Sequence, residues 1–271
     1  MPLLVLYAAI PIVHRSIRSL LPALLTLACC ARALAAPAID YAREERWAQE
    51  VVPTLVVGEA VYLRTPTRTT VLALLTEPSG SSKGGVVMVH GLGVHPDFGL
   101  IGGLRSRLAD AGYTTLSVQM PVLPADASRD DYGVALPEAR ERLHAAIAYL
   151  RAKGIDRIAL VSHSMGATMA DAYLKRPDAA RIDAWIPVGM LIPFGAAPRE
   201  AVLDVAAEHE LPQVIEAAPA RRKRLPADGC SRQVIIPATD HYFERAQPEL
   251  SAVVAAFLDR ALAGRCQSSR K

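Results

Sequence analysis

The chain has 271 residues, 51% of them hydrophobic and 21% charged, which suits one sizeable globular domain and leaves little room for a second. Thirty basic residues stand against 27 acidic ones, and Arg15, Arg18 and Arg32 fall in the first 35 residues, where there is no acid. Without that segment 27 of each sign remain, so the rest of the chain has no basic balance to attract nucleic acid or an anionic membrane.

The first 35 residues differ from the rest of the chain. Arg15 and Arg18 precede the apolar run Leu20-Leu-Pro-Ala-Leu-Leu-Thr-Leu-Ala28, and Ala33-Leu-Ala35 supplies a small-x-small site. This anatomy predicts a secretory signal peptide over residues 1–35, a single mature domain over 36–271, and export to the periplasm or beyond. The apolar run is shorter than the roughly 20 residues of a membrane-spanning helix, and Pro22 interrupts it, so no stable span is expected once the signal is removed. The apolar residues 1–13 ahead of Arg15 are unusual for a leader; either it is long or translation starts further along. Cys29 and Cys30 leave with it. Cys230 and Cys266 remain, an even count that permits one disulfide in an oxidising compartment or two free thiols.

From residue 36 to about 57 the pattern is partly helical, with Glu44, Glu45 and Arg46 on an expected solvated face. Glu59-Ala-Val-Tyr-Leu-Arg-Thr65 and Thr70-Val-Leu-Ala-Leu-Leu-Thr76 read as a strand pair joined around Pro66. Val86-Val-Met-Val89 is a wholly apolar strand. Residues 100–111 come next as a helix with Ile101, Leu104 and Leu108 on one face, then Thr114-Thr-Leu-Ser-Val118 as a strand. Leu136, Ala139, Leu143, Ile147 and Leu150 mark a helix over 136–153. Ile158-Ala-Leu-Val161 is the next strand, and helical spacing resumes from Ala167 to Leu174. Further strands are expected at 182–188, 201–205 and 233–236, and a last helix from Pro248. Arg221-Arg-Lys-Arg224 reads as a solvated face. Apolar strands alternating with amphipathic helices predict a doubly wound, mostly parallel α/β sheet with helices on both faces and an antiparallel hairpin at one edge.

The strand-to-helix turn at Ser164 and three loops beyond strand ends hold chemistry-bearing residues. Val161-Ser-His-Ser-Met-Gly-Ala167 places Ser164 at an abrupt strand-to-helix turn, the setting of a nucleophile elbow, flanked at two residues' distance by the small Ser162 and Gly166. His90-Gly-Leu-Gly93 comes after the earlier strand, where the N–H of Leu92, with that of Met165, would stabilise a carbonyl oxygen as it gains charge. Ala238-Thr-Asp-His-Tyr-Phe243 offers His241 as the base a serine hydroxyl needs. His144 lies mid-helix, and His163, though beside Ser164, is still in its strand. Ala206-Ala-Glu-His-Glu210 carries two carboxylates beyond the expected strand end, Glu208 and Glu210, either of which could orient that imidazole. In extended chain both would point the same way, so alternation leaves them open. Asp204 belongs to the strand. His90, His95 and Asp97 lack a further ligand at useful spacing, so no metal is expected, and no cofactor motif is present.

The order Ser, acid, His is that of α/β-hydrolases. From about Leu72 to Ala263 the chain resembles that fold, on His90-Gly-Leu-Gly93, Ser162-His-Ser-Met-Gly166 and Thr239-Asp-His-Tyr-Phe243. The resemblance implies a serine-acid-histidine triad, and the superfamily's Gly-x-x-Asp register points to Glu210, with Glu208 in reserve. Ser162 and Glu210 depart from its usual glycine and aspartate. More narrowly, His90-Gly-Leu-Gly-Val-His-Pro-Asp97, Thr115-Leu-Ser-Val-Gln-Met-Pro-Val122 and Gln233-Val-Ile-Ile-Pro237 resemble a family of exported bacterial α/β-hydrolase-like proteins of unassigned function. The expectation is an exported serine hydrolase, a carboxylesterase or related acyl hydrolase, with a minimal lid and a small-molecule ester as substrate. The competing expectation is a non-catalytic protein of the same fold with a binding or envelope-assembly role.

Overall fold

The computed structural model describes residues 38–266. The expected signal peptide, its cleavage site, Cys29 and Cys30 lie outside the described residues. Eight strands form one sheet: β1 (Glu59–Leu63), β2 (Val71–Thr76), β3 (Gly85–Val89), β4 (Thr114–Val118), β5 (Ile158–His163), β6 (Ala184–Val188), β7 (Ala201–His209) and β8 (Arg232–Asp240). Their order is β1-β2-β4-β3-β5-β6-β7-β8; β1 and β2 run antiparallel to their neighbours and the remaining pairs are parallel. Six α-helices accompany them among the described residues: α1 (Tyr41–Val51), α2 (Gly99–Asp110), α3 (Leu136–Ala152), α4 (Met165–Leu174), α5 (Pro212–Arg222) and α6 (Gln247–Ala261). Among the described residues no helix is long and apolar enough to cross a membrane.

The period-two alternation of strands divides the core. Val87, Val89, Leu116, Val118 and Leu160 pack with α3 and α4, whereas Val86, Met88, Ala159 and Val161 pack with α2 and α6. Because both faces are covered, these strands are buried at every position, which is why Val86–Val89 and Ile158–Val161 read as continuous apolar runs rather than alternating ones. Parallel connections leave β3 on opposite sides, to β4 and to β5, so the sheet's topological switch lies there. In register, Val89 stands beside Ser162. The loops that begin at His90 and Ser164 therefore emerge side by side, where open α/β sheets place their ligands.

Several expectations need correction. Strand β7 continues to His209 and β8 to Asp240, so much of what reads as loop at 206–209 and 238–240 is strand. Glu44 is not on a solvated face. It is buried, where its carboxylate and that of Glu138 hold the fully buried Arg142. Arg142 also donates to the carbonyl of Gln119 at 2.8 Å, so one guanidinium joins α1, α3 and the segment after β4. Arg221, likewise assigned to a solvated face, is fully buried at the end of α5. It donates to Asp204 of β7 at 2.9 Å and to the carbonyl of Met190 at 2.8 Å. Helix periodicity turns Arg221 inward while its basic neighbours stay out, and a strand carboxylate 17 positions away neutralises it. Residues 189–200 contain no helix or strand. Of the apolar residues there, Met190 and Phe194 belong to the core against Trp185, and Ile192 is exposed; Leu191 alone lines the cavity over Ser164.

Cys230, just before β8, and Cys266, beyond α6, are joined by a disulfide with Cα atoms 5.3 Å apart. It ties the last strand to the last helix.

The Asp204–Arg221 pair yields a stability test. Replacing Arg221 by Met leaves the buried Asp204 carboxylate without its counter-charge, and urea unfolding should show a loss of about 3–5 kcal/mol. A loss under about 1 kcal/mol, the range of exposed pairs, would contradict this placement.

Candidate active site

Ser164 is the hinge between β5 and α4, with no residue to spare between them. Its backbone sits at φ 55°, ψ −119°, outside the regions that a non-glycine residue adopts freely, at a cost of about 1–3 kcal/mol. Such a turn succeeds only if its flanks are small. A Cβ on Gly166 would lie 2.4 Å from the carbonyl oxygen of His90, so glycine is needed where α4 presses against the loop after β3. On the other flank the departure from glycine has a partner: the fully buried Ser162 hydroxyl accepts the indole N–H of Trp185 at 2.9 Å.

The three side chains expected to act together are brought together. His241, the first residue after β8, has its Nε2 2.9 Å from the Ser164 hydroxyl. Its Nδ1 lies 2.6 Å from Glu210 Oε2. Both are buried. Burial pushes the Glu210 carboxyl up, but the hydrogen bond and charge of His241 and the N–H groups of Ala207 and Leu211 outweigh it and hold Glu210 below the usual carboxylate range. An ionised carboxylate only accepts, so His241 donates from Nδ1, and its neutral form then turns an Nε2 lone pair toward the serine O–H. In that tautomer the imidazole is ready to take a proton.

Glu208 is held away. It is exposed, and its carboxylate accepts the N–H of Ala238 at 2.7 Å. The irregularity in the β7–β8 register between Ala207 and His209 explains why the two glutamates diverge. β8 carries the extra residues there, three between Ile236 and Asp240 against one between Ala207 and His209, and the regular pairing breaks at the end of β7, so Glu208 and His209 are both exposed while Glu210, just past the strand, is buried. Simple alternation, which aims both carboxylates the same way, fails at that bulge.

Three supporting residues escape sequence reasoning. His163 is buried next to His241, ring centroids 4.9 Å apart, and burial reinforced by that neighbour pushes its pKa down to about 4. It is neutral, and its Nε2–H donates to the backbone carbonyl of His241 at 2.9 Å. His90 accepts the Met120 N–H at Nε2 and donates from Nδ1 to the Gly91 carbonyl, each at 2.9 Å, which pins the loop bearing Leu92; burial pushes it down to about 3. Gly189, at φ 60°, leaves room where a Cβ would stand 2.8 Å from His241 Cε1 and 3.1 Å from Glu210 Oε1. The adjacency of His163 to Ser164 is the one local hint.

A cavity of about 190 Å³ opens over Ser164. Leu92, Phe98, Ile101, Met165, Leu191 and Leu211 supply apolar lining, with Arg129 and Glu244 also on its wall. Leu92 and Met165, the expected oxyanion donors, both border it. Met165 opens α4, so its N–H has no acceptor within the helix. His90, His95 and Asp97 do not converge as ligands: His95 stacks between Trp47 and Phe98, and Asp97 pairs with Arg105.

A family model described as "Alpha/beta hydrolase family" matches residues 86–267. No curated protein matches the sequence significantly. Among solved structures, an alpha-beta serine hydrolase homologue from Coxiella burnetii aligns with a TM-score of 0.60 at 18% identity, over 75% of this chain and 99% of that one. A dienelactone hydrolase from Anabaena variabilis gives 0.59 at 19%, over 74% and 96%. An α/β serine hydrolase without lid from Xanthomonas campestris gives 0.58 at 18%, over 76% and 95%. At such identities the likeness is one of fold.

The site's geometry makes two outcomes measurable. In proton NMR, the Nδ1 proton of His241 should resonate far downfield, survive Glu208→Gln and shift markedly upfield in Glu210→Gln; the opposite pattern would make Glu208 the partner. The second concerns acid. The native pKa values of His90 and His163 lie below the ordinary 6.5, so between about pH 6.5 and 5 the unfolded chain binds more protons than the folded one. Stability should fall as pH falls, by up to about 1.4 kcal/mol per pH unit for each histidine. Urea midpoints across that window test this, and His163→Asn should flatten the slope.

Proposed function

The chain belongs to the alpha/beta hydrolase family, and we propose that within it the protein is a serine hydrolase acting on small carboxylic esters. The observation that carries the reading is the continuous relay from the Ser164 hydroxyl through His241 to the Glu210 carboxylate. Ser164 attacks the ester carbonyl while His241 Nε2 takes its proton. Glu210 stabilises the imidazolium without itself becoming protonated. The tetrahedral oxyanion forms against the N–H groups of Leu92 and Met165. Collapse returns the proton from His241 to the leaving alcohol and leaves an acyl group on Ser164. Water, deprotonated by His241, then attacks that acyl group and releases the acid.

The cavity's size supports a short acyl group, since about 190 Å³ is below the range of pockets that enclose drug-sized ligands. The short connection at 189–200, without helix or strand, supports an open site without a lid domain. Neighbours of the same fold, an esterase domain from Rhodothermus marinus and the dienelactone hydrolase, lend support at the level of reaction class. Export belongs to the same proposal. It is supported by the leader-like composition of residues 1–35 and by the Cys230–Cys266 disulfide, a bond that persists in oxidising compartments. The narrower kinship with exported bacterial α/β-hydrolase-like proteins rests on the sequence stretches at 90–97, 115–122 and 233–237.

A fluorophosphonate probe should label wild-type protein and leave Ser164→Ala unlabelled. Hydrolysis of p-nitrophenyl esters should fall by at least about 10³-fold in the variant, with little change in Tm. Acetyl and butyryl esters should be turned over faster than decanoyl ones. A wild-type protein inert to the probe and to all these esters would leave the fold serving as a binding scaffold.

A further inference from the structure

The oxyanion loop is held from outside the region that matches the family. Helix α1 lies at residues 41–51, well before residue 86 where the family match begins. Its Arg43 donates from Nη2 to the Gly93 carbonyl and from Nη1 to the Leu123 carbonyl, each at 2.9 Å. Gly93 directly follows Leu92 in the loop after β3, and Leu123 lies in the segment after β4. One guanidinium thus ties together the two chain segments that leave neighbouring parallel strands at the catalytic end of the sheet. Its plane also lies over Trp47, 4.6 Å from the ring centroid. Trp47 packs against His95 at 5.7 Å, and His95 against Phe98 at 5.6 Å, which lines the cavity. The helix itself is anchored independently of Arg43: the Asp40 N–H donates to the Val122 carbonyl at 2.8 Å, and Glu44 holds the buried Arg142.

We propose that Arg43 is a positioning residue for the oxyanion loop, and that α1 acts as a strap setting where the Leu92 N–H points. The inference rests on the serine hydrolase reading. Stabilising an oxyanion demands donors fixed where charge develops, and a displacement of about 1 Å far from the reacting atoms can cost on the order of 100-fold in rate. His90 fixes the loop at Gly91, one residue before Leu92, and Arg43 fixes it at Gly93, one residue after. Leu92 is therefore bracketed. Because Glu44 and Asp40 keep α1 docked, loss of the Arg43 guanidinium should loosen the loop without releasing the helix.

The test uses the full mature chain with p-nitrophenyl acetate and a fluorophosphonate probe. In Arg43→Ala, kcat and the labelling rate should fall about 10- to 100-fold while KM changes little. Millimolar methylguanidinium should restore part of kcat in Arg43→Ala and leave wild type unaffected. Arg43→Lys should recover only part of the loss, because one ammonium cannot reach both carbonyls as a fork does. If wild type labels and Arg43→Ala labels at the same rate, the strap is overturned and the hydrolase reading stands. A rate loss that tracks a fall in Tm, with no rescue by methylguanidinium, also overturns it, since Arg43 would then be a stability residue only. A wild type inert to both reagents removes the hydrolase reading and this inference with it.

Discussion

Everything at the catalytic end of the sheet depends on the backbone at Ser164. A strand passes into a helix at a single residue held at φ 55°, and that conformation survives because the surroundings leave no alternative. Strand β5 is paired on both sides, its last residues to β6, and the Ser164 N–H donates to the Val188 carbonyl at 2.9 Å. Gly166 lets α4 close against the loop of His90. The hinge leaves the serine hydroxyl within reach of His241 and the first N–H of α4, that of Met165, without an acceptor in the helix. On the proposed reading, one local distortion would therefore present both a nucleophile and half of an oxyanion pocket.

Buried neutral histidines secure the rest. His90 and His163 both line the cavity over Ser164, each donating to a main-chain carbonyl: Gly91 in one case, His241 in the other. Both are pushed far below the usual imidazole range, so they hold their loops as uncharged donors across the whole physiological window. The His241 imidazole is thus positioned through its side chain by Glu210 and through its backbone by His163. Binding of an ester would add little reorganisation to a site already assembled, which suits a reaction whose main demand is preorganised electrostatics.

The parallel strands, the elbow at Ser164, the loop of His90 and the order of Ser164, acid and His241 are all legible from composition and spacing, because wholly apolar runs and tight turns are local signals. Sequence reasoning fails where partners are distant along the chain. Nothing near Glu44 reveals Arg142, and nothing near Arg221 reveals Asp204, so both read as surface charges. The choice between Glu208 and Glu210 turns on a register break at the end of β7 made by extra residues in β8 between Ile236 and Asp240, on the partner strand and far from either glutamate in sequence. Ser162, a departure from the usual elbow, proves to be the acceptor for Trp185, a contact between neighbouring strands that only their register reveals.

The central claim is that Ser164 becomes acylated. Acid-quenching the protein within the first turnover with p-nitrophenyl acetate, then mapping its peptides by mass spectrometry, tests this directly. The account predicts one acetyl group per chain, on the peptide containing Ser164, formed together with a stoichiometric burst of p-nitrophenol. Turnover of the ester with no acetyl on that peptide, or with acetyl on another residue, would contradict it.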